Sequence, residues 1–121
     1  MNTLSALEKA VLEKLLSGET EWYRILQKQI SALRVTERKM TGVGFFTRCS
    51  IPDDVSKLPD RARFQIGDVS ADINGLKHGA GFVLFIEDGQ IDTLEGYTYD
   101  EPWPQEVRSF HLYYDGTSER R

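Results

Sequence analysis

The sequence predicts an α+β fold, an N-terminal helical hairpin packed on one face of a mainly antiparallel sheet of about five strands. Three observations carry this expectation. Apolar residues recur at three-and-four spacing only in the first third of the chain, the period then changes to alternation, and an Asp-Gly pair joins two strand-like runs. Helices segregated at the start, instead of alternating with strands, disfavour a parallel sheet. The 121 residues are divided into a helical hairpin over 1–34, a sheet over 35–115 and a frayed tail over 116–121, all within one domain.

Leu4, Leu7, Val11 and Leu15 form one apolar stripe, and Trp22, Leu26, Ile30 and Leu33 form the next. Ser5 with Glu8 three residues later has the pattern of a capping box. Gly18 suits a left-handed helix end, while Thr20 and Glu21 suit the start of the following helix. Over residues 43–51 the odd positions are Val, Phe, Thr, Cys and Ile, which a half-buried strand turns inward, with 35–40 as its hairpin partner through Thr41-Gly42. Prolines and acids over 52–60 predict a loop with one short helical turn. Strands follow over 64–73 and 81–87, the latter continued through Asp88-Gly89 into a tight hairpin. Its unbroken apolar run, Phe82 to Ile86, predicts a central strand covered on both faces. Pro102 and Pro104 separate this hairpin from a last strand over 107–114.

The formal charge of −4 is unevenly distributed. Residues 1–50 hold eight Lys/Arg against five Asp/Glu, whereas 51–121 hold seven against fourteen. From Glu87 to Glu106 there are seven acids and no Lys, Arg or His. Such a stretch repels nucleic-acid phosphates and attracts basic partners, so no nucleic acid is expected as a ligand. No apolar run approaches the roughly 18 residues of a membrane span, and Met1-Asn2-Thr3 lacks a positive region before an apolar block. No membrane association and a cytoplasmic address are therefore expected. The single cysteine, Cys49, cannot form an internal disulfide.

Catalytic signatures are sparse. Cys49 falls on the inward side of an alternating strand, where a small thiol is ordinarily inert. His-Glu-x-x-His, paired cysteines and EF-hand spacing are all missing, so neither a metal nor another cofactor is expected. The glycines around Gly42 and Gly79 run into strand-like segments instead of the helix that a phosphate loop requires. Carboxylates suited to acid–base work are abundant, and Asp68 and Asp72 share one face of a strand.

Three segments, Thr41-Gly42-Val43-Gly44-Phe45-Phe46-Thr47, Gly79-Ala80-Gly81-Phe82-Val83-Leu84-Phe85 and Leu94 to Pro104, resemble a group of small uncharacterised bacterial proteins. The likeness spans residues 41–104, includes segments like GAGFVLFIEDG and LEGYTYDEPWP, and implies no particular activity. Proteins of this size and style resemble immunity or accessory proteins made beside a toxin.

From the residues themselves the leading expectation is a non-enzymatic protein-binding module that presents an acidic, aromatic surface to a basic protein partner. Tyr97, Tyr99 and Trp103 are its expected anchors, and Glu95, Asp100 and Glu101 its charged complement. The competing explanation of this stretch is structural, with Leu94, Tyr97 and Trp103 packed on the core and the acids facing water. The rival function is a small enzyme or small-molecule binder using Asp68, Asp72, His78 and Glu95 beside the sheet. A homodimer formed through the acidic stretch is the third reading.

Overall fold

Ser5 begins the first helix, α1 (Ala6–Leu15). Its Oγ accepts the Glu8 N–H at 3.1 Å, and the Glu8 carboxylate accepts the Ser5 N–H at 2.8 Å, so the capping box forms as its spacing predicts. The computed structural model describes residues 3–116, and the tail expected over 116–121 lies outside the described residues from 117 onward. The second helix, α2 (Glu21–Ile30), starts after Thr20, whose side chain makes no capping bond. It ends before Leu33, because the Ala32 and Leu33 N–H groups both close onto the Gln29 carbonyl and turn the chain into the sheet. Gly18 does not serve as a left-handed helix end. Its φ is not positive; a Cβ there would lie 2.0 Å from Cδ2 of Tyr23, so the glycine makes room for that ring.

Six strands follow: β1 (Arg34–Met40), β2 (Gly44–Ser50), β3 (Phe64–Ile73), β4 (Ala80–Glu87), β5 (Gln90–Thr98) and β6 (Phe110–Tyr114). They form one sheet in the order β1-β2-β5-β4-β3-β6, with every neighbouring pair antiparallel. A 3₁₀ turn, Pro59–Arg61, interrupts the loop between β2 and β3. Asp88 and Gly89 have φ of 52° and 74°, the pair of positive values that a type I′ hairpin needs between β4 and β5. Asn74 Oδ1 accepts the Arg108 and Ser109 N–H groups, both at 2.8 Å, and so sets where β6 joins the edge of β3.

Both helices lie on the same side of this sheet. Leu7, Val11, Leu12, Leu15 and Leu26 are buried against Phe45, Leu94, Phe82, Leu84, Val69 and Ala71. Alternation continues the inward face through Thr47, while Val43, expected inward, is 52% exposed at the hairpin end. The expectation that β4 is covered on both faces fails. Its side chains alternate between buried Phe82, Leu84 and Ile86 and half-buried Val83 and Phe85, because no described helix covers the second face.

Polar contacts fasten the helices to the sheet. Glu8 is only 2% exposed and receives Nε and Nη2 of Arg38 at 2.9 and 2.6 Å, together with the Thr47 hydroxyl. Burial pushes its carboxyl up, but the bonds from Arg38, Thr47 and the Ser5 N–H outweigh that effect and hold it below the usual carboxylate range. The Tyr114 hydroxyl donates to the Lys14 carbonyl at 3.0 Å, tying edge strand β6 to the end of α1.

Removing the Glu8 carboxylate takes the acceptor from the buried Thr47 hydroxyl and the one-third-exposed Arg38 guanidinium and half of the capping box from α1, a combined loss of about 3 kcal/mol. Glu8→Ala is therefore expected to lower the free energy of unfolding by that amount, read as a lower urea midpoint at unchanged m-value. Because the folded carboxyl titrates below its ordinary value near 4.5, the Glu8 contribution is complete above that pH and is lost as the pH falls through the folded value. Glu8→Gln should flatten that acid limb of the stability curve.

Candidate functional site

The second face of the sheet collects side chains from every strand. One row runs Gly44, Tyr97, Gly81, Ser70 and Tyr113 across β2, β5, β4, β3 and β6. The row beside it runs Lys39, Phe46, Glu95 and Val83 across β1, β2, β5 and β4. A third holds Arg48, Thr93, Phe85 and Gln65. Cations thus stand at the β1–β2 side, aromatic and acidic groups toward β5 and β6.

Glycines shape the first row. A Cβ on Gly81 would lie 2.5 Å from both Cζ and Oη of Tyr97, so the phenol ring rests across that glycine. Tyr99 meets Tyr97 edge to face, with centroids 5.6 Å apart and planes at 83°. Tyr99 is 46% exposed and Tyr113 39%, and His111 stacks beside Tyr113 at 6.3 Å. Ser70 Oγ donates to Asp115 Oδ1 at 2.7 Å, holding that carboxylate next to the row.

The electrostatics of this face are one-signed around the tyrosines. Burial, the bond with Tyr99 and the charges of Asp115 and Glu95 push the Tyr97 phenol up to about 12. Burial and then Asp72 and Asp115 push Tyr113 up as well. Both remain protonated hydrogen-bond donors at neutral pH. Burial alone pushes the Glu95 carboxyl up. Among the described residues no Lys, Arg or His pairs with it.

The expected partner-binding residues are divided between the two sides of the sheet. Glu95, Tyr97 and Tyr99 belong to the open face. Trp103 stands on the helix side, its ring edge-on to Phe45 at 5.2 Å and its backbone N–H donating to the Gly42 carbonyl at 2.9 Å. The Glu101 carboxylate accepts the Lys77 and His78 N–H groups at 2.8 to 3.0 Å, which hold it below the usual range and anchor the loop after β3. Asp100 is exposed in the turn after β5, with a positive φ of 61°. Tyr113, Ser70 and Asp115 join the face from the far side of the sheet without any signal in the local sequence near Glu95.

The acid–base set is dispersed. Glu95 on β5 and Asp72 on β3 have β4 between them, a separation of about 10 Å between strand axes. Asp68 sits where β3 bulges between Ile66 and Val69, and His78 is exposed in the loop before β4. Asp72 instead lines an open cavity of about 440 Å³ with Asn74, Ser109 and His111. Burial, then Glu8 and Asp92, push the Cys49 thiol up to about 11, leaving it protonated and a poor nucleophile. Among the described residues no cluster of three or more His, Cys, Asp or Glu side chains could hold a metal ion, and no helix is long and apolar enough to cross a membrane.

No protein-family model, curated protein or solved structure matches this chain. Its architecture is an α+β sandwich of one helical layer on one antiparallel sheet, with no described element over the other sheet face.

A carboxyl raised by burial makes the folded state less stable as the pH rises. Between the ordinary value near 4.5 and the raised folded value the native protein binds more protons than the unfolded chain, and above that window the full penalty applies. Glu95→Gln is expected to raise the thermal midpoint at pH 7 by about 1–3 °C and to have no such effect at pH 4. Calorimetry at the two pH values tests this.

Proposed function

We propose that this chain is a non-enzymatic protein-binding module that presents the open sheet face to a basic protein partner. One observation carries the reading: Phe46, Val83 and Phe85 point outward where a solvated antiparallel sheet is ordinarily polar, and Glu95 stands among them without an ion-pair partner among the described residues. A partner that covers these side chains removes apolar surface from water and can bring Lys or Arg to the carboxylate. Six strands of this length present a face of roughly 25 by 25 Å, the scale of the ~800 Å² that each side of a standard interface contributes.

In this reading Tyr97 and Tyr99 are the aromatic anchors, Glu95 the central charge, and Asp100 a steering charge at the rim. Glu101 and Trp103 support the face from behind through the loop and core contacts that they make. A basic partner includes the class of nucleic-acid-directed toxins, whose own sites must be positive to hold phosphates, and an immunity-like inhibitor of such a toxin is the form of partner binding that the acidic face suits. The dispersal of Asp68, Asp72, His78 and Glu95 gives the enzymatic alternative no comparable support.

The test is capture on immobilised wild-type protein beside Glu95→Gln and Glu95→Lys, followed by affinity measurement with the purified partner at two salt concentrations. A basic protein is expected, bound about 10-fold more weakly by Glu95→Gln and more weakly still by Glu95→Lys, with a shallower salt dependence in both variants. A partner whose affinity and salt dependence are the same for all three proteins would refute the reading.

A further inference from the structure

A cavity of about 430 Å³ opens on the helix side of the sheet, between the start of α1, the end of β1 and the segment leading into β6. Its size is that of a small-molecule site. The walls are apolar: Leu7, Met40, Phe45, Trp103, Val107 and Phe110 line it, with the Phe45 and Trp103 rings edge to face at 5.2 Å. Met40 is exposed and Trp103, Val107 and Phe110 are half-buried, so an occupant would remove their apolar surface from water.

Hydrogen-bond donors meet at one end of this apolar space. Glu8 Oε1 accepts both the Ser5 N–H at 2.8 Å and Nη2 of Arg38 at 2.6 Å, which places the guanidinium against the first turn of α1. Arg38 spends Nε and Nη2 on Glu8 and the Thr3 carbonyl, and its Nη1 has no acceptor among the described residues. A helix start leaves its first N–H groups without intrahelical partners. The capping box satisfies those of Ser5 and Glu8; among the described residues nothing accepts from Ala6 or Leu7, and both line the cavity with Arg38. The two carboxylates of the lining already have cations, Glu8 in Arg38 and Glu106 in Arg108 at 3.0 Å.

We infer that this cavity is a binding site for a small apolar carboxylate, whose body lies against Met40, Trp103 and Val107 and whose carboxylate accepts from Arg38 Nη1 and from the Ala6 and Leu7 N–H groups. A bond from a guanidinium to a carboxylate is charge-assisted, and the start of α1 favours negative charge. A cationic ligand would meet the same donors and find both nearby carboxylates already paired. The site lies on the opposite side of the sheet from the face proposed for the protein partner and does not depend on that reading.

The probe is phenylacetate titrated into the full chain, with phenethyl alcohol and phenethylamine as comparisons, followed by the indole N–H resonances of the two tryptophans. Trp103 reports on the cavity, and Trp22, which packs on Phe64 and does not line it, reports non-specific apolar binding. Phenylacetate should shift Trp103 and not Trp22, with a dissociation constant of about 1 mM. Phenethyl alcohol should bind about 10-fold more weakly, and phenethylamine should leave Trp103 unshifted. Val107→Trp, which fills the cavity, and Arg38→Gln, which removes the guanidinium, should each weaken phenylacetate binding by about 10-fold, and Met40→Ser by about 2- to 3-fold. Should Arg38→Gln fail to fold, Val107→Trp and the comparison with the alcohol decide. Equal binding of phenylacetate and phenethyl alcohol, a shift of Trp22 without Trp103, or unchanged affinity in folded Val107→Trp would overturn the site.

Discussion

Two ten-residue helices have to cover a six-stranded sheet, and their dimensions allow it on one side only. Each helix is about 15 Å long and about 10 Å wide, so the pair laid side by side spans roughly 20 Å. Six strands at their usual spacing span about 24 Å. The helical layer is thus used up on the face that holds Phe82, Leu84 and Leu94, and among the described residues nothing covers the opposite face. The face proposed for partner binding follows from that shortage.

Helices seated by apolar contact alone can slide, and here two buried polar side chains set their position. Glu8 joins α1 to β1 and β2 through Arg38 and Thr47. Gln29 does the same for α2: its Nε2 donates to the carbonyls of Ser56 and Gly89 at 3.0 and 3.2 Å, and its Oε1 accepts the Ile91 N–H at 2.9 Å. An amide buried in this way is costly if the helix shifts, because each of its groups would lose its partner away from water. The charges of α1 and the amide of α2 therefore decide which face of the sheet is inside, and by exclusion which face is available.

The open face departs from the usual alternation of apolar and polar positions. On β4 the outward residues Val83 and Phe85 are as apolar as their inward neighbours, and Phe46 continues the pattern on β2. The acidic stretch that stands out in the sequence contributes Glu95 and Tyr97 to this face, but its later members serve the scaffold. Glu101 spends its carboxylate on backbone amides and Trp103 its ring on Phe45. Charge density along the chain is thus a poor guide to charge density in space, because a carboxylate's partners are set by the fold.

Much of the architecture is legible in the residues themselves. The Ser5–Glu8 box, the two apolar stripes, the Asp88-Gly89 turn and the alternation around Phe45 and Thr47 are local signals, each acting over a few residues, and local chemistry determines them. The role of Gly18 is not local, since it depends on where the Tyr23 ring comes to rest. Nor is the placing of Tyr113 opposite Ser70 and of Asp115 on the Ser70 hydroxyl, which requires β6 to add beside β3. The run Phe82 to Ile86 shows the division most clearly. Its apolar character follows from the sequence and marks a strand at the centre of the sheet. Only the tertiary structure decides that two of its five side chains, Val83 and Phe85, face away from the helices, because the number of helices available to cover it is a property of the whole fold.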